Sequence, residues 1–401
     1  MTTGDEHRGP PPGHGSKSTA DQAPKVDQLL AARATVVDVA RLAGVSGRTV
    51  SRVVTGGPNV SPQTRERVMQ AVESLQFRPN RLARELRTGS VSTTVGFIVG
   101  DLTNPFYAKV AAGAESVLAE WGLTMLLAAT GDDPACERRT VGAVIEHRVR
   151  ALLLVPVGDD HGYLQHERRL GTPIVAVDRP ATNADLDSVV FDNRGGAKDG
   201  VQSLITAGHR RIAFVGSDAT IFTHAERLTG YLRAMDTAEI PIEQRLIRRD
   251  APDSAAAEHA AHQLLDHDEP PTAIFAANNM AALGVLQAMR GRPSTVALVA
   301  FDDFDFAATL GVSVVSHDPR EMGRTAAGLA LSRLADPDRP STQIVLSTRL
   351  IPRGSGETSP SLVTPNRVHS TAAISNKAAR ANAAVTEPGT DRVGSIDGAS
   401  G

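Results

Sequence analysis

The sequence has one cysteine, Cys136, so a disulfide framework and a cysteine-built zinc site are both excluded within one chain. A reducing compartment fits that scarcity. No apolar run reaches membrane-spanning length, and the N-terminal residues lack the apolar stretch of a secretory signal. The expectation is a soluble cytoplasmic chain with no membrane partner. Net charge is small as well, 42 Lys and Arg against 45 Asp and Glu giving −3, which taken alone argues against nucleic acid. The charges are unevenly spread, however. Residues 35–90 hold nine Arg against four acids, so one short basic segment sits beside a net acidic remainder and is the part suited to phosphate.

Familiar catalytic and metal arrangements are missing too. Glu258-His259-Ala260-Ala261-His262 does not have the His-Glu-x-x-His order of a zinc protease and reads as a solvated helix face. Gly195-Gly196-Ala197-Lys198 lacks the full phosphate-loop spacing, and there is no Gly-x-Ser-x-Gly elbow. Asp302-Asp303-Phe304-Asp305 offers oxygen ligands for a cation, but it fits equally a strand-end cap and a pocket acid. The reading is therefore not an enzyme, with no cofactor and no metal.

What the chain does have begins with its length: 401 residues exceed one compact domain and imply two or three. Thr35 to Arg87 reads as three short helices and a separate fourth. Thr35 with Asp38 forms a capping pattern, Val37 and Ala40 share a face, and Gly44 permits a tight turn before Val45. Ser46 caps a second helix whose Val50, Val53 and Val54 pack while Arg48 and Arg52, four apart, share another face. Ser61-Pro62 opens a third helix with Val68, Val72 and Leu75 as its apolar stripe. After Arg78-Pro79-Asn80, residues Arg81 to Leu86 form a helix too short to hold alone.

DVARLAGVS, TVSRVV, VSPQTRERV and FRPNRLARELR together resemble the DNA-binding headpiece and hinge of LacI/GalR-type transcriptional regulators. From Thr94 the pattern changes to apolar runs alternating with helical stretches: TVGFIVG, LTMLLAA, ALLLVPV, TPIVAVD, RIAFVGS, TAIFAAN and TVALVAF. Such runs suit parallel strands buried on both faces, too many for one small sheet. The landmarks DLTNPFYAKVAAG, VDRP, GHRRIAFVG, ERLTGY, FAANNMAALG and FDD extend the same resemblance through residues 94–354.

The resemblance implies an N-terminal all-α helix-turn-helix headpiece with a hinge helix, followed by a periplasmic-binding-protein-like α/β core of two doubly wound lobes. The expected division is a flexible tail at 1–34, the DNA-binding domain at 35–79 and the hinge helix and linker at 80–90. The core at 91–356 follows, then a second flexible tail at 357–401. Within the core one lobe takes 91–191 plus 318–340 and the other 192–317 plus 341–356. No leucine heptad series marks residues 357–401, so a homodimer formed by the cores is expected rather than a tail-made tetramer.

The functional expectation is a ligand-responsive regulator, more often a repressor in this family. It would bind a double-stranded inverted-repeat operator as a dimer and answer to a sugar-like small effector. A nucleoside- or purine-responsive regulator is one alternative. A sugar-binding or transport receptor is another, though it would need a signal segment and no basic head. Base contacts are assigned to Arg48 and Arg52, with Thr55 and Asn59 nearby. Gly47 stands where the family usually has a second specificity side chain. Backbone contacts are assigned to Thr35, Ser46, Thr49, Ser51, Ser61, Thr64 and Asn80. In the hinge, Ala83-Arg84-Glu85-Leu86 matches the family frame whose leucine enters the minor groove, which assigns Ala83 and Leu86 to that groove.

Ligands of parallel sheets bind beyond the strands' carboxyl ends, where this chain places Asp101, Asp178, Asn278 and Asp302. Arg227 lies in the helix after RIAFVGS, and Phe106 offers an apolar wall. Carboxylates, an amide and a guanidinium fork suit vicinal hydroxyls, although Asp and Asn at such positions also cap helices. In the family pattern the positions of Asp178, Arg227, Asn278 and Asp302 contact effector. Asn279, where the family usually has Asp, and the short link MRGRPSTVAL depart from that pattern.

Overall fold

The computed structural model describes residues 34–78, 92–292 and 296–360. They fall into two compact units, divided after Ser92. The expected hinge helix, with Asn80, Ala83 and Leu86, lies outside the described residues, as do residues 1–33 and 361–401.

The first unit is a three-helix cluster: α1 Val36–Ala43, α2 Gly47–Val54 and α3 Pro62–Ser74. Thr35 and Asp38 form the reciprocal capping box of α1, and the Ser46 and Ser61 hydroxyls accept from the Thr49 and Thr64 amides of the next two helices. Gly44, at φ +64°, ends α1 in the left-handed conformation that glycine adopts without strain. Val39, Ala43, Val50, Val53, Val68, Ala71 and Phe77 close the core. The expected face of α1 is corrected: Val39 is fully buried and Val37 is 64 % exposed. The run Val36-Val37-Asp38-Val39-Ala40 allows two helical stripes, and only packing against α2 and α3 selects the one through Val39 and Ala43.

The second unit holds two sheets. The first contains β1 Thr94–Val99, β2 Thr124–Ala129, β3 Ala151–Leu154, β4 Ile174–Val177, β5 Asp187–Phe191 and β11 Gln343–Leu346, all parallel and ordered β11-β5-β4-β3-β1-β2. The second contains β6 Ile212–Val215, β7 Ile247–Arg248, β8 Ala273–Ala276, β9 Ala297–Phe301, β10 Ser313–Ser316 and β12 Arg349–Ile351. Its order is β12-β10-β9-β8-β6-β7, with β12 antiparallel at the edge. Helices α4 Pro105–Glu120, α5 Pro134–Glu146, α6 Leu164–Arg169 and α11 Pro319–Ala335 cover the first sheet. Helices α7 Asn193–Thr206, α8 Phe222–Thr237, α9 Ser254–Leu265 and α10 Asn279–Met289 cover the second. Strands β3, β4, β6, β8 and β9 are buried along their whole length, hence their unbroken apolar sequences. Among the described residues no helix is long and apolar enough to cross a membrane.

Two expected boundaries move. The segment from 341 is expected in the second lobe, but β11 pairs in parallel with β5 of the first, Ile344 opposite Val189. The cause is Asp187, the first residue of β5. Its buried carboxylate accepts from the Thr342 amide at 2.9 Å and pairs with Arg333 and Arg339, which fastens this stretch to the first lobe. The chain returns to the second lobe from β12 onward. Residues 357 and 358, expected in the C-terminal tail, are held against the second lobe. The Ser313 hydroxyl donates to Glu357 at 2.8 Å, and His209 Nε2 meets the Thr358 carbonyl at 2.7 Å.

One close approach shapes the region between the lobes. A Cβ on Gly113 of α4 would collide with the Arg320 carbonyl, and one on Gly323 of α11 with the Val110 carbonyl. Two reciprocal glycines therefore let α4 and α11 touch backbone to backbone. That contact holds Phe106 and Lys109 of α4 beside His317 and Pro319, all lining one cavity.

Candidate functional site

In the helical unit, α2 turns Val50 and Val53 inward and leaves Arg48 and Arg52 exposed. Thr55 and Asn59 are also exposed. The Thr55 hydroxyl donates back to the Ser51 carbonyl at 2.9 Å, and Asn59 sits at φ +64° in the loop after the helix. That loop is braced by Arg65, whose Nη2 donates to the Gly57 carbonyl at 3.0 Å. At Gly47 a Cβ would be 3.4 Å from Val36 Cγ1, an ordinary contact, so packing does not demand glycine there. Ser46 with Thr49 and Ser61 with Thr64 are hydroxyl pairs at 2.9 and 2.8 Å at the first turns of α2 and α3. The Thr35 hydroxyl donates to the Asp38 carboxylate at 2.7 Å, and Ser51 is half-buried on α2. Helix first turns also carry unpaired amides, the backbone groups that hold phosphates.

In the two-lobed unit the expected effector residues converge, with one exception. Arg227 is buried in α8 and nearly saturated. Its Nε donates to Asn193 Oδ1 at 2.8 Å, Nη1 to the Ala277 carbonyl at 2.7 Å, and the fork to both oxygens of Asp302 at 3.1 and 3.2 Å. The guanidinium also lies 3.8 Å from the Phe301 ring centre. Burial alone would push the Asp302 carboxyl up, but Arg227 and the His317 hydrogen bond outweigh it and hold it below the ordinary carboxylate range. Asp178 holds the matching place in the first lobe. Both aspartates follow a central strand, both have φ +70°, and each amide donates to the neighbouring strand, Asp178 to Val189 and Asp302 to Val315. Burial pushes the Asp178 carboxyl up, against the opposing charges of Arg179 and Arg227.

Phe106 meets the His317 ring edge-on at 5.7 Å, and His317 stacks on Phe191 at 3.9 Å. Asn278 caps α10 by accepting from the Ala281 amide at 2.7 Å. Asp101 is the exception. Its oxygens accept from the Thr103 amide and hydroxyl at 2.8 and 2.6 Å, so the local turn takes up its carboxylate.

Several residues of this region stand outside the expected set. His317 Nε2 meets Asp302 at 2.7 Å. Arg179 Nη2 donates to the Tyr107 hydroxyl at 3.2 Å and its side chain lies near Asp178 and Asp132. Two contacts join the lobes across the opening: Asn279 to Asn104 at 3.2 Å and Lys109 to Asp305 at 2.9 Å. Asn279, a departure in the sequence, thus has a partner in the opposite lobe. Of these, Arg179 stands in VDRP; His317 and His224 carry no motif at all. The acids at 303 and 305 pair with Arg353 and Lys109, and among the described residues no cluster of three metal-ligating side chains occurs. His259 and His262 lie on α9, against Gln263 and near Glu258.

Two cavities open between the lobes. One, of about 640 Å³, is lined by Phe106, Lys109, Met280, Asp302 and His317 among others. The second, of about 560 Å³, is lined by Asp132, Arg179, the loop residues Ala219, Thr220 and Ile221, and Phe222 and Ala225 of the first turn of α8. Burial and the charges of Arg227 and Arg179 push the His224 imidazole down to about 3, so it is neutral at physiological pH. Because the folded pKa is depressed, the stability it confers is complete above about 6.5 and is lost as pH falls toward 3. Below pH 6.5 the second lobe should therefore lose up to about 1.4 kcal/mol per pH unit from this group. Urea melts at pH 7.5 and 5.0 check this: His224→Asn should shrink the difference, and an unchanged slope would reject it.

A helix-turn-helix unit and a two-lobed ligand cleft on one chain define a ligand-responsive DNA-binding protein. Residues 35–80 match the model of bacterial regulatory proteins of the lacI family, and residues 92–348 match the model of periplasmic binding proteins and the sugar-binding domain of the LacI family. The chain belongs to the LacI family of bacterial regulators. It is 34 % identical to the HTH-type transcriptional regulator CelR of Thermobifida fusca, over 81 % of this chain and 98 % of that one. The structure of a CelR–cellobiose complex is 31 % identical, covers 80 % of this chain and 100 % of its own, and superposes with a TM-score of 0.61. A lac repressor dimer bound to operator shares the fold at 24 % identity and TM-score 0.67, covering 81 % of this chain and 99 % of its own. Both matching families are regulatory or binding proteins, and neither is an enzyme family.

Proposed function

We propose that this chain is a cytoplasmic repressor that binds an inverted-repeat operator as a homodimer and changes its DNA affinity when a sugar-like effector enters the cleft between the lobes. The observation that carries this reading is the coexistence of an exposed Arg48/Arg52 helix face with a buried Arg227–Asp302–His317 cluster beside a ligand-sized cavity. Arg48 and Arg52 would read bases or hold phosphate in the major groove, with Thr55 and Asn59 at its edge. Ser46, Thr49, Ser61 and Thr64 would steady the backbone. Leu86 would enter the minor groove from the hinge. The dimer reading is supported by β2, an edge strand that leaves Leu126 and Leu127 exposed on the first lobe. The cellobiose held by the CelR relative supports a sugar as effector.

The test is fluorescence anisotropy on the full chain with a palindromic duplex taken from upstream of its own gene. The expected outcome is specific binding that weakens steeply with salt and shifts on adding a ligand that raises the melting temperature. DNA affinity indifferent to every stabilising ligand would reject the coupling.

A further inference from the structure

We propose that the effector is an uncharged, hydroxyl-rich molecule and that one of its oxygens is held jointly by His224 and Asn278. This inference rests on the effector-cleft reading above and narrows it.

The first observation is a pair of donors that face each other. The Ser217 amide donates to His224 Nδ1 at 3.2 Å, so Nδ1 is the acceptor and the neutral ring carries its proton on Nε2. Asn278 Oδ1 accepts from the Ala281 amide, which fixes the amide orientation and turns Nδ2 toward the imidazole. Nε2 and Nδ2 then face each other at 3.5 Å, donor against donor. They cannot bond to each other. An acceptor set between them, such as a hydroxyl or ring oxygen, would serve both donors at once. His224 is 7 % exposed; its neighbours Phe222 and Ala225 line the cavity that holds Arg179, and Asn279 and Met280, next to Asn278, line the other, so the pair sits between the two cavities.

The second observation is a charge inventory. Every cation of the cleft already has its anion. Arg227 forks onto Asp302 at 3.1 Å, the Arg179 side chain lies 3.5 Å from Asp132 and 3.6 Å from Asp178, and Lys109 pairs with Asp305 at 2.9 Å. Four of the five N–H groups of Arg227 are committed within the protein. A phosphate or carboxylate entering here would have to break an existing pair and then lie beside Asp132, Asp178 and Asp302. A hydroxyl meets no such obstacle, since it can accept from His224 and Asn278 without displacing an ion pair.

The test is calorimetric titration of the full chain with cellobiose, glucose and ribose, and with glucose 6-phosphate, ribose 5-phosphate and hypoxanthine. His224→Asn keeps an acceptor for the Ser217 amide and removes the donor at the Nε2 position. Asn278→Asp keeps the helix cap and turns the donor into an acceptor. The expected result is binding of an uncharged sugar, about a hundredfold tighter than its phosphate ester. Each variant should weaken that sugar about tenfold or more while keeping the folded circular dichroism spectrum of the wild type. A phosphate ester or hypoxanthine binding more tightly, sugar affinity unchanged in both variants, or no binding by any probe would overturn the proposal. If a sugar phosphate bound and altered DNA affinity, the regulator reading would survive and this one would fall. If an uncharged sugar bound as described and DNA affinity never moved, the reverse would hold.

Discussion

Arg227→Ala is expected to lower the unfolding free energy of the two-lobed unit by about 3–5 kcal/mol, because it leaves a buried carboxylate without its main counter-charge. Asp302 would keep only His317, while the Asn193 amide oxygen and the Ala277 carbonyl would lose their donors. The stacking on Phe301 would go as well. Chemical denaturation of wild type and variant measures the loss directly, and a change below about 1 kcal/mol would show that the cluster does not hold the lobe. The structure also alters how such a variant is interpreted. With so much of Arg227 spent inside the protein, a lost ligand response in Arg227→Ala mixes unfolding with lost recognition. Arg227→Lys keeps the charge but not the planar fork, so folding retained with ligand response impaired would separate the two.

Arg48→Ala is expected to cost about 1–3 kcal/mol per half-site, hence about 2–6 kcal/mol for a dimer on both, and to relax preference at one base pair in each. The side chain is exposed on the face of α2 opposite Val50 and Val53. Gly47 beside it contributes no side chain although its surroundings would accept one, which concentrates discrimination on Arg48. Binding to specific and scrambled duplexes by gel shift decides the matter. An equal loss on both would make Arg48 a phosphate contact.

The sequence carried the α/β architecture most clearly where strands are central. Seven apolar runs correspond to β1, β2, β3, β4, β6, β8 and β9. The strands that escaped notice are short, polar-ended or at an edge. β5 begins with Asp187, whose burial makes sense only beside Arg333 and Arg339, far along the chain. β10 is two valines between buried serines, and β11 and β12 are half-exposed edges. The lobe boundary at 341 failed for the same reason, since a two-sided salt-bridge staple has no local signature. At the site, residues following central strands were legible from position alone, as with Asp178 and Asp302. Asp101 obeyed the same rule and yet spends its carboxylate on Thr103, a turn that a two-residue spacing permits but does not demand. His224 and His317 were invisible because their roles depend on partners in space. One takes an amide from Ser217, and the other lies between Phe191 and Asp302.

The measurement that bears most directly on the regulator reading is selection of the full chain on a pool of random duplexes, with and without an uncharged sugar that raises its melting temperature. The expected result is enrichment of one inverted repeat, with a recovery that the sugar changes by about fivefold to 150-fold, as coupling of about 1–3 kcal/mol requires. Enrichment of no sequence, or of one lacking two-fold symmetry and insensitive to the sugar, would contradict it.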